Sequence, residues 1–211
     1  MLTGRSFTVG LITNDSFGRF SIPVMLGAED ALQTGQIAVL LCDGRDDAIR
    51  EQHYVRTLLA RRVDGIIVTG RRTDPRPPLS AGFPVPIVYA MSEPANPEDA
   101  SVLPDDEGGG RVRQAPDVDA IFCGSDQIAR GVSEALRELG RRVPDDVALV
   151  GFDNWTVIAE ASRPPLTTID MNLTEVGRTA ARLLLAAIDG HTAHGTHLVP
   201  CQLVAREPTR A

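Results

Sequence analysis

Short apolar runs along this chain alternate with longer stretches in which apolar residues recur every three or four positions. Residues 7–13, 37–42, 65–69 and 86–90 carry no charge, the mark of strands buried on both faces. Between the first two runs, Ile22, Val24, Met25, Ala28, Ala31 and Leu32 fall on one helical stripe that ends near Gly35. Between the next two, Ile49, Val55, Leu58 and Leu59 do the same. Strand, helix, strand, helix, strand predicts a parallel sheet. Right-handed crossovers place helices on both of its faces and leave the loops at the strand C-termini to line a ligand crevice.

Residues 71–86 and 92–110 are rich in Pro, Arg, Asp, Glu and Gly and read as loops, the second as a boundary between lobes. The rhythm then resumes with strands over 120–123 and 147–152, an extended segment at 166–169, and a final strand over 197–204. Ile128, Val132, Ala135, Leu136 and Leu139 predict a helix face, closed by Gly140 with Pro144 beyond. Asn172, with Glu175 three residues on, is placed to cap a last helix whose stripe is Leu173, Val176, Ala180, Leu183, Leu184, Ala187 and Ile188. The fold class expected is therefore α/β, with two doubly wound parallel-sheet lobes.

Charge and cysteine usage narrow the functions. A net charge of -7 argues against this chain holding a phosphate backbone by itself. Cys42, Cys123 and Cys201 are scattered and odd in number, which fits a reducing cytoplasm better than a disulfide framework. No run approaches the ~20 apolar residues of a membrane span, and the first residues lead straight into a strand pattern, so a cytoplasmic protein without membrane contact is expected. His191, His194 and His197 are evenly spaced, but Gly190 and Gly195 put them in a loop without an acidic or thiol neighbour, and no metal is expected. Gly108 to Gly110 lack the spacing of a phosphate-binding loop, and Cys123 to Gln127 lack the glycines of a nucleophile elbow. Neither a cofactor nor an enzyme is indicated.

The segment DAIFCGSDQIARG at 119–131 resembles the signature of LacI/GalR-type transcription regulators. LRELGRRVPDDVALVGF at 136–152, then Asp153 with RPPLTTI at 163–169, resemble the family's next blocks in the same order. Val9 to Ile12 and RRVDGIIV at 61–68 are similar to its first and third strands. The likeness covers nearly the whole chain. It implies a periplasmic-binding-protein-like type I fold in which a small effector, a sugar or related metabolite, sits between two lobes. It also implies a homodimer that passes lobe closure to a DNA-binding headpiece. On this basis residues 1–108 form the N-terminal lobe, 109–166 the C-terminal lobe, 167–190 a crossover and helix returning to the first, and 191–211 a C-terminal strand region of the second. Two departures stand out. The chain begins almost at the first strand, so operator DNA is expected to be met only through a headpiece that this chain does not carry. Gly108 to Arg111 resemble the start of the second lobe, yet Ala120 already opens a later strand, a deficit on the order of 60 residues, or two β-α units. The second lobe is thus expected to be incomplete, with an exposed parallel edge that invites pairing with another chain.

Sugar binding in such a crevice needs carboxylates and amides for hydroxyl groups and an aromatic face for the ring. The resemblance points to Asp15, Arg19 and Phe20 after the first strand, Phe122 in its strand, Asp126 at a helix start and Asp153 just after a strand end. Each has a plainer reading: a surface loop around a buried Phe20, a core role for Phe122, and a helix cap for Asp126. Trp155 reads as a lid or core residue more readily than as a stacking platform. The rival functions are a periplasmic-type sugar receptor, which needs a signal peptide, and a truncated remnant without function.

Overall fold

The computed structural model describes residues 4–16, 18–33, 36–70, 75–77, 79, 84–105, 119–191 and 194–206. Two compact units divide the chain. Unit 1 takes Met1–Pro104 and Leu173–Val199, and unit 2 takes Asp105–Asn172 and Pro200–Ala211. The expected boundary at 108/109 and the Gly108 to Arg111 segment lie outside the described residues.

Unit 1 is built on a six-stranded sheet of β1 (Thr8–Thr13), β2 (Ala38–Asp43), β3 (Gly65–Thr69), β5 (Ile87–Ala90), β7 (Ala100–Pro104) and β11 (Thr196–Val199). Its order is β11-β7-β5-β3-β1-β2, and every neighbouring pair is parallel. The uncharged runs become its centre: Val9, Leu11, Ile66, Ile67 and Val68 are fully buried. A two-stranded ribbon pairs β4 (Pro75–Arg76) with β6 (Glu93–Pro94). Helices α1 (Ser21–Leu32), α2 (Ala48–Ala60) and α5 (Leu173–Ile188) complete the unit. Asp47 starts α2 by accepting from the N–H groups of Ile49 and Arg50.

Helices α1 and α5 meet backbone to backbone. A Cβ on Gly27 would lie 1.7 Å from the Thr174 carbonyl oxygen, and one on Gly177 would lie 1.8 Å from that of Val24. No side chain fits between them. Arg178 of α5 then bonds Glu175 and reaches Asp30 of α1 at 3.3 Å, closing the crossing on its polar side.

The structure corrects several expectations. β4 lies inside 71–86, and β6 and β7 lie inside 92–110, the two stretches read as loops. β7 is buried throughout, but its Ala-Ser-Val-Leu-Pro run is short, begins with weak strand formers and is framed by Asp and Pro. Ile22 and Ile49, assigned to buried stripes, are exposed, while Gly27 and Gly177 occupy the packed faces. Asn172 has a left-handed φ of +54°, unlike the extended backbone of an N-cap, and its N–H bonds Asp170 Oδ1 at 2.7 Å.

Unit 2 has a four-stranded sheet of β8 (Ala120–Phe122), β9 (Ala148–Phe152), β10 (Thr167–Asp170) and β12 (Gln202–Val204), in the order β12-β10-β9-β8. The first three run parallel, and β12 is antiparallel to β10. The single strand expected over 197–204 is two strands in two sheets, because Pro200, which has no donor, interrupts it. Helices α3 (Asp126–Glu138) and α4 (Thr156–Ala159) lie on one face, where Leu149 packs with Ala129, Ala159 and Leu166. Register puts Phe122, Val150, Phe152, Ile169 and Leu203 on the opposite face. No described helix of the unit covers that face.

The buried residues of α3 are Asp126, Ala129 and Ser133, whereas Ile128 and Leu139 of the expected stripe are exposed. Close approach explains the turn. A Cβ on Gly151 would stand 2.3 Å from Asp126 Oδ1 and 3.4 Å from the Ala129 Cβ, so α3 lies on the bare backbone of β9 through its small residues.

Candidate functional site

In both units, polar groups collect at the C-terminal ends of parallel strands. In unit 1 the rim starts with Thr13 and Thr69, which end β1 and β3 and are register partners. Both are buried. Thr13 Oγ1 accepts from the Asp15 N–H at 2.9 Å, while Thr69 Oγ1 has no hydrogen-bond partner among the described residues. Asn14 gives its amide to Asp46 at 3.1 Å and keeps an enclosed, unpartnered Oδ1. An unpaired buried acceptor costs about 1–3 kcal/mol unless something else satisfies it, so the Thr69 and Asn14 oxygens mark places for an incoming polar group.

Asp15 is buried, and its Oδ2 accepts from the N–H groups of Phe20 at 2.7 Å and Ser21 at 3.0 Å. Phe20 stands at the N-cap of α1 with no side-chain acceptor of its own, so Asp15 supplies the cap from five residues upstream. The Arg19 guanidinium lies 4.9 Å from the Phe20 ring centre. Asp15, Arg19 and Phe20 thus form one corner of the rim, with Asp15 fixing the backbone that carries the other two.

In unit 2, Asp126 is fully buried and accepts from the Thr168 hydroxyl at 2.5 Å and the Trp155 N–H at 2.6 Å. The cap of α3 is Ser125, which accepts from Ile128 N–H at 3.2 Å. Asp126 instead ties the start of α3 to β10 and to the loop after β9. That loop is strained: Asp153 has φ +102° and Asn154 φ +47°. Only surroundings that over-determine the backbone keep non-glycine residues there, a cost of order 1–3 kcal/mol each. The fixings are visible. Asp153 N–H bonds Ile169 O at 2.9 Å, Asn154 gives its amide to Asp170 at 3.0 Å, and Asn154 Oδ1 accepts from Arg206 at 3.0 Å. Phe122 meets Phe152 edge to face, with centres 6.2 Å apart, on the sheet face away from Asp126.

Among the predicted residues, then, Asp15, Arg19 and Phe20 share one corner. Asp126 and Asp153 belong to a second rim, and Phe122 stands apart on the far face. Thr13, Asn14, Thr69, Asn154 and Arg206 were missed, although Thr13 and Thr69 end predicted strands, Asn14 follows one, and that position was the available signal. Arg206 carries no local signal. Burial pushes up the thiols of Cys42 and Cys123, leaving neither activated. Among the described residues no group of three His, Cys, Asp or Glu side chains is placed to hold a metal ion.

Open α/β sheets as a class take ligands at the carboxyl ends of their strands, the edge at which these polar groups collect. The chain belongs to the periplasmic binding protein-like domain family, whose pattern matches residues 50–209. Its relatives include the HTH-type transcriptional regulator CelR of Thermobifida fusca, 43% identical over 107 residues that make up 48% of this chain and 31% of CelR. They also include the HTH-type transcriptional repressor PurR of Aliivibrio salmonicida, 23% identical over 249 aligned positions that take in 86% of this chain and 74% of PurR. A LacI-family regulator structure from Rhizobium etli superposes with a TM-score of 0.83 over 97% of this chain and 99% of that one, at 22% identity. A CelR–cellobiose complex does so at 0.65 over 97% and 85%, at 23% identity. The chain spans about a third of the length of CelR. The likeness to LacI-type regulators read from residues 119–131 is therefore borne out, as is the α/β fold class.

Proposed function

We propose that this chain is the ligand-sensing region of a LacI-type transcription regulator and reversibly binds a small, neutral, polyhydroxylated metabolite, a sugar in the first instance. One observation carries this reading. Thr69 Oγ1 is buried at the C-terminal end of β3 and has no hydrogen-bond partner among the described residues, and Asn14 Oδ1, one residue past the end of the neighbouring β1, also has none. Hydroxyl groups satisfy such acceptors, and the 43% identity to a regulator whose namesake is known bound to cellobiose favours a saccharide. Asp15, Arg19, Phe20, Asp126 and Asp153 frame the rims, with the first and fourth holding backbone in place. No bond is made or broken, operator DNA is met through a headpiece outside this chain, and the active form is a cytoplasmic homodimer. Among the described residues no helix is long and apolar enough to cross a membrane.

The test is a thermal-shift screen of mono- and disaccharides, cellobiose included, on the chain and on Thr69→Val. The substitution removes an acceptor that has no partner among the described residues, so the free protein is expected to keep its melting temperature. Affinity for any hit falls by about tenfold, the worth of one hydrogen bond to a ligand hydroxyl. A hit bound equally well by Thr69→Val contradicts the assignment of the site, and the absence of any hit contradicts the saccharide.

A further inference from the structure

The outer strand of unit 2 offers a second binding surface of a different kind. β8 ends the sheet order and pairs only with β9 among the described residues. Cys123 N–H bonds Val150 O at 2.8 Å, and Ala148 N–H bonds Asp119 O at 2.6 Å. Alternate residues of a parallel ladder bond the same neighbour. Asp119, Ile121 and Cys123 therefore serve β9, and Ala120 and Phe122 turn their N–H and C=O groups to the outer edge. Those groups meet no strand among the described residues. Ala120 is exposed and Phe122 is 38% exposed, with Val150, Phe152 and Leu203 also incompletely buried on the same sheet face. Natural edges are protected by a charge, a proline or a bulge, and Ala120-Ile121-Phe122 has none of them.

The comparison with PurR bears on this edge. The alignment runs to 249 positions yet takes in 86% of a 211-residue chain, so PurR carries on the order of 70 residues with no counterpart here, about two β-α units. The resemblance to LacI-type regulators puts a similar deficit just before β8.

We propose that β8 is an interface between two copies of this chain, paired edge to edge and antiparallel about a twofold axis. A twofold axis through Ile121 sets Ala120 against Phe122 of the second copy as a hydrogen-bonded pair at each end, so every outward group finds its complement. It also sets Asp119 against Cys123 of the second copy and keeps the two Asp119 carboxylates apart. The strand is thus self-complementary in hydrogen bonding and free of like-charge opposition. The ligand reading is not needed for this proposal.

Sedimentation velocity and hydrogen exchange on the intact chain, from micromolar to near-millimolar concentration, test it. The expected result is a dimer in which the Phe122 amide is protected at high concentration and exchanges freely at low. Ala120→Pro removes an outward N–H and leaves the β9 ladder untouched, and Phe122→Lys keeps every backbone group but places a charge on the edge. Each is expected to raise the dimer dissociation constant about tenfold or more. Trp155 fluorescence checks that unit 2 is folded in both. A chain that stays monomeric, a dimer indifferent to both substitutions, or Phe122 exchange independent of concentration would each overturn the proposal.

Discussion

The crossing of α1 and α5 makes the sharpest stability prediction. In Gly177→Ala the new Cβ falls 1.8 Å from the Val24 carbonyl oxygen, where ordinary contacts begin at 3.4 Å. The obstacle is helix backbone and cannot rotate away, so the helices must separate by roughly 1.5 Å and loosen the packing of Val24, Ala28, Ala180 and Ala181. Overpacking costs about 1–3 kcal/mol where side chains can adjust, and more where they cannot. Alanine returns about 1 kcal/mol of helix propensity. The net expectation is a loss of about 3 kcal/mol, which for a chain of this size lowers the melting temperature by about 6–12 °C. Gly131→Ala is the matched control: Gly131 lies in α3, is exposed, and has nothing within 4 Å of its would-be Cβ, so a gain of about 0.5–1 kcal/mol is expected. Circular dichroism melts of the two variants read the difference. A Gly177→Ala melt within a degree of the unsubstituted chain would refute the backbone-contact argument.

Asp126→Ala strands the Trp155 N–H and the Thr168 hydroxyl in a buried site; a loss of about 3 kcal/mol is expected in urea titrations followed by Trp155 fluorescence. Burial pushes the Glu175 carboxyl upward, but the hydrogen bonds from Arg178 and Arg182 outweigh it and hold it below the usual carboxylate range. A depressed folded-state value gives stability that is present at neutral pH and lost as pH falls through it. Glu175→Gln is accordingly expected to cost about 0.5 kcal/mol at pH 7, to cost progressively less as pH falls below the usual carboxylate range, and to matter less in high salt.

Strands buried on both faces were legible because uncharged runs such as 65–69 have no alternative environment, and β3 occupies those very residues. β7 was not, since five small and apolar residues between acidic loops look like loop until the sheet is assembled around them. Periodicity found the helices but misjudged the covered flank of α3. The apolar stripe through Ile128 and Leu139 carries the greater hydrophobicity, yet close approach to Gly151 selects the flank of Asp126 and Ala129. The site divides in the same way. The family resemblance pointed to Asp15 and Asp153, and both follow strand ends, where the loops follow from the parallel sheet. The partners that make Asp126 a tie, Thr168 and Trp155, lie 42 and 29 residues away, and no local pattern links them. Thr69 becomes conspicuous only when its hydroxyl is seen to lack a partner.

The central claim, that the strand-end rims hold a small polyhydroxylated ligand, is tested most directly by an amide NMR titration with the best saccharide from the screen. Saturable shifts concentrated at residues 13–16, 18–21, 69–70 and 153–154, and sparing the β8 edge, are the predicted result. Shifts that fail to saturate, or that leave Thr69 and its neighbours unmoved, would contradict the account.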